Sequence, residues 1–362
     1  MPAVQPPAKV LVSGANGYIA IWVVSSLLEK GYSVRGTVRS AAKGKHLQEI
    51  FKSYGDKHEV DGAFDDAVKG VDAIEHTASP FHLNADDPEE LIRPAVDGTV
   101  GILKSALKFG SSVKRIVITS SCAAVLQEST TVPPTPQTFS ELDWNEQATH
   151  LVETQGREAG AMHKYRASKT LAEKAAWAFV KEHDVNWDLV VVNPPFVFGP
   201  PLHSVPKLAD LNTSAADWYN TVLTSGPTTS MPAKLTMGSC WIDVRDLGLA
   251  HVAALAKSEA GGERFIISAG SFVWQDWLNI VNGLPKDDLA KLTNAASIPT
   301  GQPANDSSHP ETKILFNYKT DKAARILGMG QSHQAQGQGF TAYRTKKQCA
   351  VDMVQDFASR GW

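Results

Sequence analysis

The sequence is poor in the features that mark secreted, membrane-spanning or nucleic-acid-binding proteins. It has 3 cysteines in 362 residues, so we expect neither a disulfide framework nor a metal site. The net charge is −3, and the only basic cluster is Arg344, Lys346 and Lys347, which gives no support to nucleic-acid binding. No internal repeat is visible.

Long apolar runs are also missing. None approaches the roughly 18 residues that a membrane-spanning helix needs. The first residues, MPAVQPPAKVLV, lack the charged stretch followed by an apolar core that is typical of a signal peptide. We therefore expect a soluble, cytoplasmic protein without a membrane partner. Its 43% hydrophobic content suits one large or two small globular domains.

A helix-like stretch from Met162 to Phe179 carries two residues that suggest chemistry. Alanine, leucine, lysine and glutamate dominate it, and its apolar residues recur at helical spacing. Tyr165 and Lys169 stand four residues apart, so both side chains leave one face of the helix. A neighbouring ammonium is expected to lower the phenol's pKa from its usual ~10, so that the pair can protonate a carbonyl oxygen. Alone the pattern is weak, because most such pairs are solvated.

The amino-terminal stretch is typical of a dinucleotide-binding turn. A short apolar strand, KVLV, leads directly into SGANGYIA and then into a helix closed by Gly31. Gly14 permits the tight turn, and Gly17 lets the backbone approach a pyrophosphate at the helix N-terminus. Ala20 replaces the usual third glycine and is still small. The flanking strand and helix favour nucleotide binding over an ordinary turn.

Two cations follow the second predicted strand, Tyr32–Val38. An NAD enzyme carries an acidic residue about 20 positions past the glycines, whereas this sequence has Arg39 and Lys43. Two cations suit a 2′-phosphate, which a carboxylate would repel. A solvated helix start is the alternative reading, but the pattern favours NADPH.

Strands and helices alternate up to about residue 193, which predicts an α/β fold with a doubly wound parallel sheet of the Rossmann type. Two serines, Ser120 and Ser121, follow one of these strands at the carboxyl edge where cofactors bind; turn capping is the alternative. Residues 133–160 are predicted as a polar loop. The third strand is expected to be short, because only HEV precedes the Asp61-Gly62 pair.

The predicted organisation has two parts. Residues 1–199 are expected to form an NADP-binding Rossmann domain, joined by strand segments near 236–270. Residues 200–235 and 271–362 are expected to form a smaller substrate-binding lobe. Within that lobe, the low-complexity segment 328–339 is predicted as a loop.

A series of motifs resembles one enzyme family. SGANGYIA, RSAAK, HTASPF, TSSCAAV, YRASK, NPPFVFGP, LNTS and WIDVRD stand in the order found in the extended short-chain dehydrogenase/reductases. The sequence is most similar to the fungal NADPH-dependent methylglyoxal and carbonyl reductases, and more distantly to dihydroflavonol and cinnamoyl-CoA reductases. The resemblance spans roughly residues 8–327 and 343–362. It implies an oxidoreductase, a ketoreductase that reduces an aldehyde or ketone with NADPH by a Ser-Tyr-Lys mechanism, as a monomer or homodimer without a metal.

The resemblance also implies roles for individual residues. It places the catalytic roles on Ser121, Tyr165 and Lys169. It places cofactor binding on Gly14, Asn16, Gly17, Tyr18, Ile19, Arg39, Lys43, Thr77, Ala78, Ser79, Tyr165, Lys169, Pro194, Pro195, Val197 and Ser214. It places substrate binding on Phe81, Cys122, Leu126 and Tyr165, with lobe residues such as Trp218 and Tyr219.

Two segments depart from the family pattern, and several functions stay open. The third strand and following turn, residues 58–62, are shortened, and a Gln/Gly-rich segment at 330–341 interrupts the lobe. A loss of packing beside the adenine would weaken cofactor binding. The alternatives are a reductase specialised for a flavonoid, a steroid or an acyl-CoA thioester, and a non-catalytic NADPH-binding protein.

Overall fold

A computed structural model of the chain describes residues 3–61, 64–79, 84–129, 135–225, 232–308, 312–335 and 339–362. The strands of this described part are β1 (Lys9–Ser13), β2 (Ser33–Thr37), β3 (His58–Asp61), β4 (Ala73–His76), β5 (Arg115–Thr119), β6 (Gln137–Phe139), β7 (Asp188–Asn193), β8 (Phe196–Phe198), β9 (Gly238–Asp243), β10 (Arg264–Ile266), β11 (Ser271–Val273), β12 (Phe316–Tyr318), β13 (Met329–Gly330) and β14 (Thr341–Ala342).

Its α-helices are α1 (Tyr18–Glu29), α2 (Ala41–Ile50), α3 (Phe64–Ala67), α4 (Glu89–Phe109), α5 (Glu146–Gln155), α6 (Ala161–Glu182), α7 (Thr213–Val222), α8 (Pro232–Thr236), α9 (Val244–Ala256), α10 (Trp274–Asn282), α11 (Lys286–Leu289) and α12 (Lys346–Ser359).

Seven strands form the central sheet, in the order β10-β7-β5-β4-β1-β2-β3, and every neighbouring pair is parallel. Alternate residues of β1 enter opposite faces of the sheet. Val10 and Val12 join a buried cluster with α1 and α9, while Leu11 joins a second cluster with α4 and α6. Helices therefore cover both faces, and the predicted doubly wound Rossmann fold is confirmed.

The third strand forms, but it is short, as predicted. β3 has four residues and pairs with β2 from Val34 opposite His58 to Thr37 opposite Asp61. It lies at the edge of the sheet, so it has one neighbour instead of two. An edge strand needs less continuous apolar sequence than a strand buried between two others, which explains how this stretch still completes the sheet.

A second core lies outside the central sheet. It is built around the three-stranded sheet β11-β9-β8 and helices α7, α10 and α12. Trp218, Trp241 and Trp277 are almost fully buried there, and their rings meet edge to face. Edge-to-face packing of large rings gives this lobe a dense apolar centre despite its irregular chain path.

Two sequence predictions of loops are wrong in part. Residues 133–160 were expected to be loop throughout, yet they contain β6 and α5, and β6 pairs in parallel with β12. The low-complexity segment contains β13, which pairs with β14, and a 3₁₀ turn at Ser332–Gln334. Within the described residues, no helix combines the length and apolarity required to cross a bilayer.

Candidate active site

The glycine-rich turn after β1 is shaped by close contact with the chain that follows β4. Gly14 has a φ of +63°, and a Cβ placed on it would lie 3.1 Å from the Ala78 Cβ. The Gly14 N–H donates to the Thr37 hydroxyl at 3.2 Å, and the Gly17 N–H donates to the Gly14 carbonyl at 2.8 Å. Gly17 is the residue immediately before α1, and no side chain caps the helix there. The N–H groups of the first turn are thus directed toward the sheet edge, where an anion can accept from them.

Ser13 connects the ends of β1 and β4, a role that the sequence analysis missed. Its hydroxyl accepts hydrogen bonds from the backbone N–H groups of Thr77 and Ala78, both at 3.1 Å. The Thr77 hydroxyl donates to the Ser13 carbonyl at 2.5 Å, and His76 Nδ1 lies 2.9 Å from the Ser13 hydroxyl. The only sequence signal was a hydroxyl at the last position of the first strand.

The predicted catalytic residues Ser121 and Tyr165 are brought together. Ser121 follows β5, and a side-chain hydrogen bond joins its hydroxyl to the Tyr165 phenol. The Ser121 hydroxyl also accepts from the Ala123 N–H at 3.1 Å and lies 3.4 Å from the Pro194 carbonyl oxygen. These contacts fix the serine rotamer, so that two hydroxyl groups converge on one point at the carboxyl edge of the sheet.

Burial dominates the electrostatics of Tyr165. It raises the pKa of the phenol to about 12, and the hydrogen bond with Ser121 opposes part of this increase. From the sequence, Lys169 was expected to lower this pKa below its usual value. The Lys169 ammonium instead lies 5.9 Å from the centre of the tyrosine ring and donates to the Ser79 hydroxyl at 2.8 Å. The phenol is therefore held in its protonated form at neutral pH, ready to donate.

Lys169, one turn after Tyr165 in α6, is buried. Only 8% of the residue is exposed, and burial lowers its pKa to about 8, while the nearby Glu173 carboxylate raises it. A cavity of about 10 Å³ adjoins it, and the polar lining of that cavity includes His76, Ser79 and Ser120. Burial, together with repulsion from Lys169, lowers the pKa of His76 to about 4, so this imidazole is neutral.

The two predicted phosphate-binding cations lie where the sequence placed them. Arg39 follows β2, Lys43 is in the first turn of α2, and both side chains are exposed. The sheet order puts β2 beside β1, so both cations lie on the same side of the site as the glycine turn. A glycine cradle, an uncapped helix N-terminus and two exposed cations suit a phosphorylated dinucleotide such as NADPH.

Four of the predicted cofactor contacts, Pro194, Pro195, Val197 and Ser214, come after β7. Pro194 and Pro195 separate β7 from β8, and the Val197 carbonyl accepts from the Ser214 hydroxyl at 2.8 Å. Asn16 and Ile19 lie in the glycine turn and the first turn of α1 and are partly exposed. Tyr18, by contrast, is buried and points away from solvent.

The segment after β8, residues Gly199–Leu202, is held by four side chains from distant parts of the chain. The Tyr18 phenol donates to the Gly199 carbonyl at 2.9 Å, and the Trp22 indole donates to the Pro200 carbonyl at 3.0 Å. Arg360 donates to the Pro201 carbonyl at 2.7 Å, and His46 Nε2 bonds to the Leu202 carbonyl at 3.0 Å. Every carbonyl of this clamped segment thus has a side-chain donor.

The predicted substrate residues are distributed unevenly. Phe81 lies outside the described residues. Cys122 and Leu126 are buried in a small cluster with β6 and β12, and Cys122 Sγ lies 3.2 Å from the Asn193 carbonyl oxygen. Trp218 and Tyr219 pack inside the lobe core rather than facing the site. Phe196, which follows the two prolines, is 37% exposed, and its ring stacks on that of Phe198.

The parallel sheet, the glycine turn at its carboxyl edge and the converging Ser-Tyr pair define a protein of the Rossmann class. The chain belongs to the NAD dependent epimerase/dehydratase family, whose sequence pattern matches residues 10–270. The family membership inferred from the ordered motifs is thereby confirmed.

Individual relatives cover most of the chain. It is similar to a ketoreductase of Aspergillus niger, with 34% identity over 339 residues that cover 89% of this chain and 92% of the relative. It is similar to the NADPH-dependent methylglyoxal reductase of Saccharomyces cerevisiae, with 35% identity over 336 residues, 88% of this chain and 93% of the relative. The crystal structure of yeast methylglyoxal/isovaleraldehyde reductase complexed with NADPH superposes with a TM-score of 0.80 and 32% identity, covering 97% of this chain and 98% of that one.

Proposed function

We propose that this protein is an NADPH-dependent oxidoreductase that reduces an aldehyde or ketone to the alcohol by a Ser-Tyr-Lys mechanism. The observation that carries the proposal is the hydrogen bond between Ser121 and Tyr165, with the buried Lys169 one helical turn away. The relatives named as ketoreductase and methylglyoxal reductase support a small-molecule carbonyl substrate. The division into a cofactor domain and a substrate lobe, the cytoplasmic location and a monomer or homodimer remain predictions.

In this proposal the glycine turn, Arg39 and Lys43 hold the cofactor, which supplies a hydride when bound. The Ser121 and Tyr165 hydroxyls bind the carbonyl oxygen and stabilise the negative charge that develops on it. Tyr165 then gives its phenolic proton to that oxygen. Its raised pKa of about 12 keeps the proton in place until the oxygen becomes basic. Lys169 supplies a positive charge beside the resulting phenolate.

The first experiment measures cofactor binding. Purified protein is heated with NADPH or NADH, and the shift in melting temperature is recorded. A ligand at about 100 times its Kd stabilises the fold by about 2.7 kcal/mol, so a clear shift is expected with NADPH and a smaller one with NADH. Equal shifts with both would contradict the roles of Arg39 and Lys43. No shift with either would contradict the cofactor site.

The second experiment tests the chemistry. Tyr165→Phe is expected to lower NADPH oxidation with methylglyoxal by about 10²–10⁴-fold, because the proton donor is lost. Its NADPH-induced melting shift should stay near that of the wild type. Tyr54→Phe, which makes the same change near the end of α2, serves as the matched control. A Tyr165→Phe variant that keeps most of its rate would refute the mechanism, and release of a free thiol from an acyl-CoA would identify a thioester reductase instead.

A further inference from the structure

The face of α6 that carries Tyr165 and Lys169 also carries a buried glutamate, Glu173. Glu173 follows Lys169 by one helical turn, and only 2% of the residue is exposed. A buried carboxylate is costly unless several groups compensate its charge. The contacts that compensate Glu173 lead directly to the proposed catalytic serine.

Three donors surround the Glu173 carboxylate. One of its oxygens, Oε2, accepts from the Ser120 hydroxyl at 2.6 Å and from the Asn193 amide at 2.8 Å. The other, Oε1, accepts from Arg264 Nε at 2.5 Å. Arg264 is itself held over the Trp144 ring, with 3.7 Å between the guanidinium carbon and the ring centre. Strands β5, β7 and β10 are thereby tied to one side chain of α6.

These contacts continue to the backbone of Ser121. The Asn193 amide that donates to Glu173 also donates to the Ser121 carbonyl at 3.1 Å. Ser120, the second donor, is the residue immediately before Ser121. The peptide that carries the Ser121 hydroxyl is therefore positioned from both sides by groups that Glu173 holds.

The charge of Glu173 also faces Lys169. The other titratable groups near this lysine are Tyr165 on the same helix and His76 from β4. Burial raises the pKa of Tyr165 and lowers that of His76, so both are uncharged at neutral pH. Glu173 supplies the one carboxylate among the described residues that line the cavity beside Lys169.

We propose that Glu173 is a positioning residue for the proposed reductase, which holds the Ser121 peptide through Ser120 and Asn193 and keeps Lys169 positively charged. The inference rests on the proposed function for its catalytic consequence. Its electrostatic part is independent of turnover. Burial lowers the pKa of Lys169 to about 8 and Glu173 raises it, so loss of the carboxylate lets the lysine lose its proton at a lower pH.

The test compares Glu173→Gln with Glu182→Gln, an exposed glutamate at the end of the same helix. The midpoint of Lys169 titration is measured by NMR in protein that contains ¹³Cε-labelled lysine, with the resonance assigned from a Lys169→Arg sample. An opposite charge within about 4–6 Å shifts a pKa by about 1–3 units, so Glu173→Gln should lower the midpoint by about one pH unit or more. Glu182→Gln should leave it unchanged.

The pH profile of kcat/KM gives the second readout. In Glu173→Gln the alkaline limb should move to lower pH by the same amount, a change that a merely structural defect would not produce. Glu173→Gln leaves the Arg264 charge without its partner, which can destabilise the fold. The double variant Glu173→Gln with Arg264→Gln removes both charges and replaces the single variant in the titration if the single variant unfolds. An unchanged Lys169 midpoint in Glu173→Gln would overturn the proposal. If that variant unfolds, a midpoint in the double variant equal to that of Arg264→Gln alone would overturn it. A wild-type protein that oxidises no NADPH would instead refute the proposed function, while the NMR titration would still decide the role of Glu173.

Discussion

Replacement of Gly14 by alanine tests two requirements of the glycine turn: a backbone with positive φ and close contact with Ala78. At a φ of +63° an L-residue costs about 1–2 kcal/mol. The new methyl group would also lie 3.1 Å from the Ala78 Cβ and 3.3 Å from the Ala78 Cα, and such overpacking costs a further ~1–3 kcal/mol. We expect Gly14→Ala to lose about 2–5 kcal/mol of folding free energy in total and to displace Ala78.

The chain offers a matched control. Gly70 has a φ of +67°, and a Cβ there would meet nothing within 4 Å. Gly70→Ala should therefore lose only the backbone cost of about 1–2 kcal/mol. Thermal denaturation with and without NADPH measures both variants: Gly14→Ala should melt lower and lose most of its NADPH-induced shift, whereas Gly70→Ala should keep that shift. Equal melting temperatures and equal shifts would refute the close approach of the turn to Ala78.

Two further predictions concern stability. Arg115 is fully buried, pairs with Asp188 at 2.6 Å and donates to the Ala254 carbonyl at 2.7 Å. Arg115→Met should therefore lower the free energy of unfolding by about 3–5 kcal/mol, as measured by thermal denaturation. A loss under about 1 kcal/mol would contradict the role of this ion pair. Burial lowers the pKa of His203 to about 4, below the ~6.5 of an unfolded chain, so stability is full above pH ~6.5 and falls by up to about 3 kcal/mol as the pH drops to 4. His203→Asn should reduce this acid dependence, and an unchanged dependence would contradict the assignment.

The parts of the fold that rest on local signals could be predicted from sequence. The helix with Tyr165 and Lys169 has helical periodicity over its whole length, and the glycine turn has its strand and helix directly beside it. β6 has no such signal. Its partner is β12, about 180 residues further along the chain, so its pairing depends on the tertiary fold. For α5 a local signal existed, because the Asn145 side chain accepts from the Ala148 N–H as a helix cap.

The chemistry of the site was predictable in its residues but less so in its energetics. Spacing alone put Tyr165 and Lys169 on one face, and the structure agrees. The raised pKa of Tyr165 follows from its depth in the folded chain, which no short motif encodes. Glu173 stood at the same helical spacing from Lys169, but its partner Arg264 is 91 residues away, so only the three-dimensional structure shows that the two form an ion pair.

The clamped segment after β8 bears on how the protein reaches its native state during synthesis. Its two prolines have no N–H to donate, so it depends on side chains for order. One of these, Arg360, is made 159 residues after Pro201. A nascent chain can therefore pair the strands of the Rossmann sheet well before this segment is fixed. We expect nascent chains to stay sensitive to proteolysis at Gly199–Leu202 until Arg360 is free to donate to the Pro201 carbonyl.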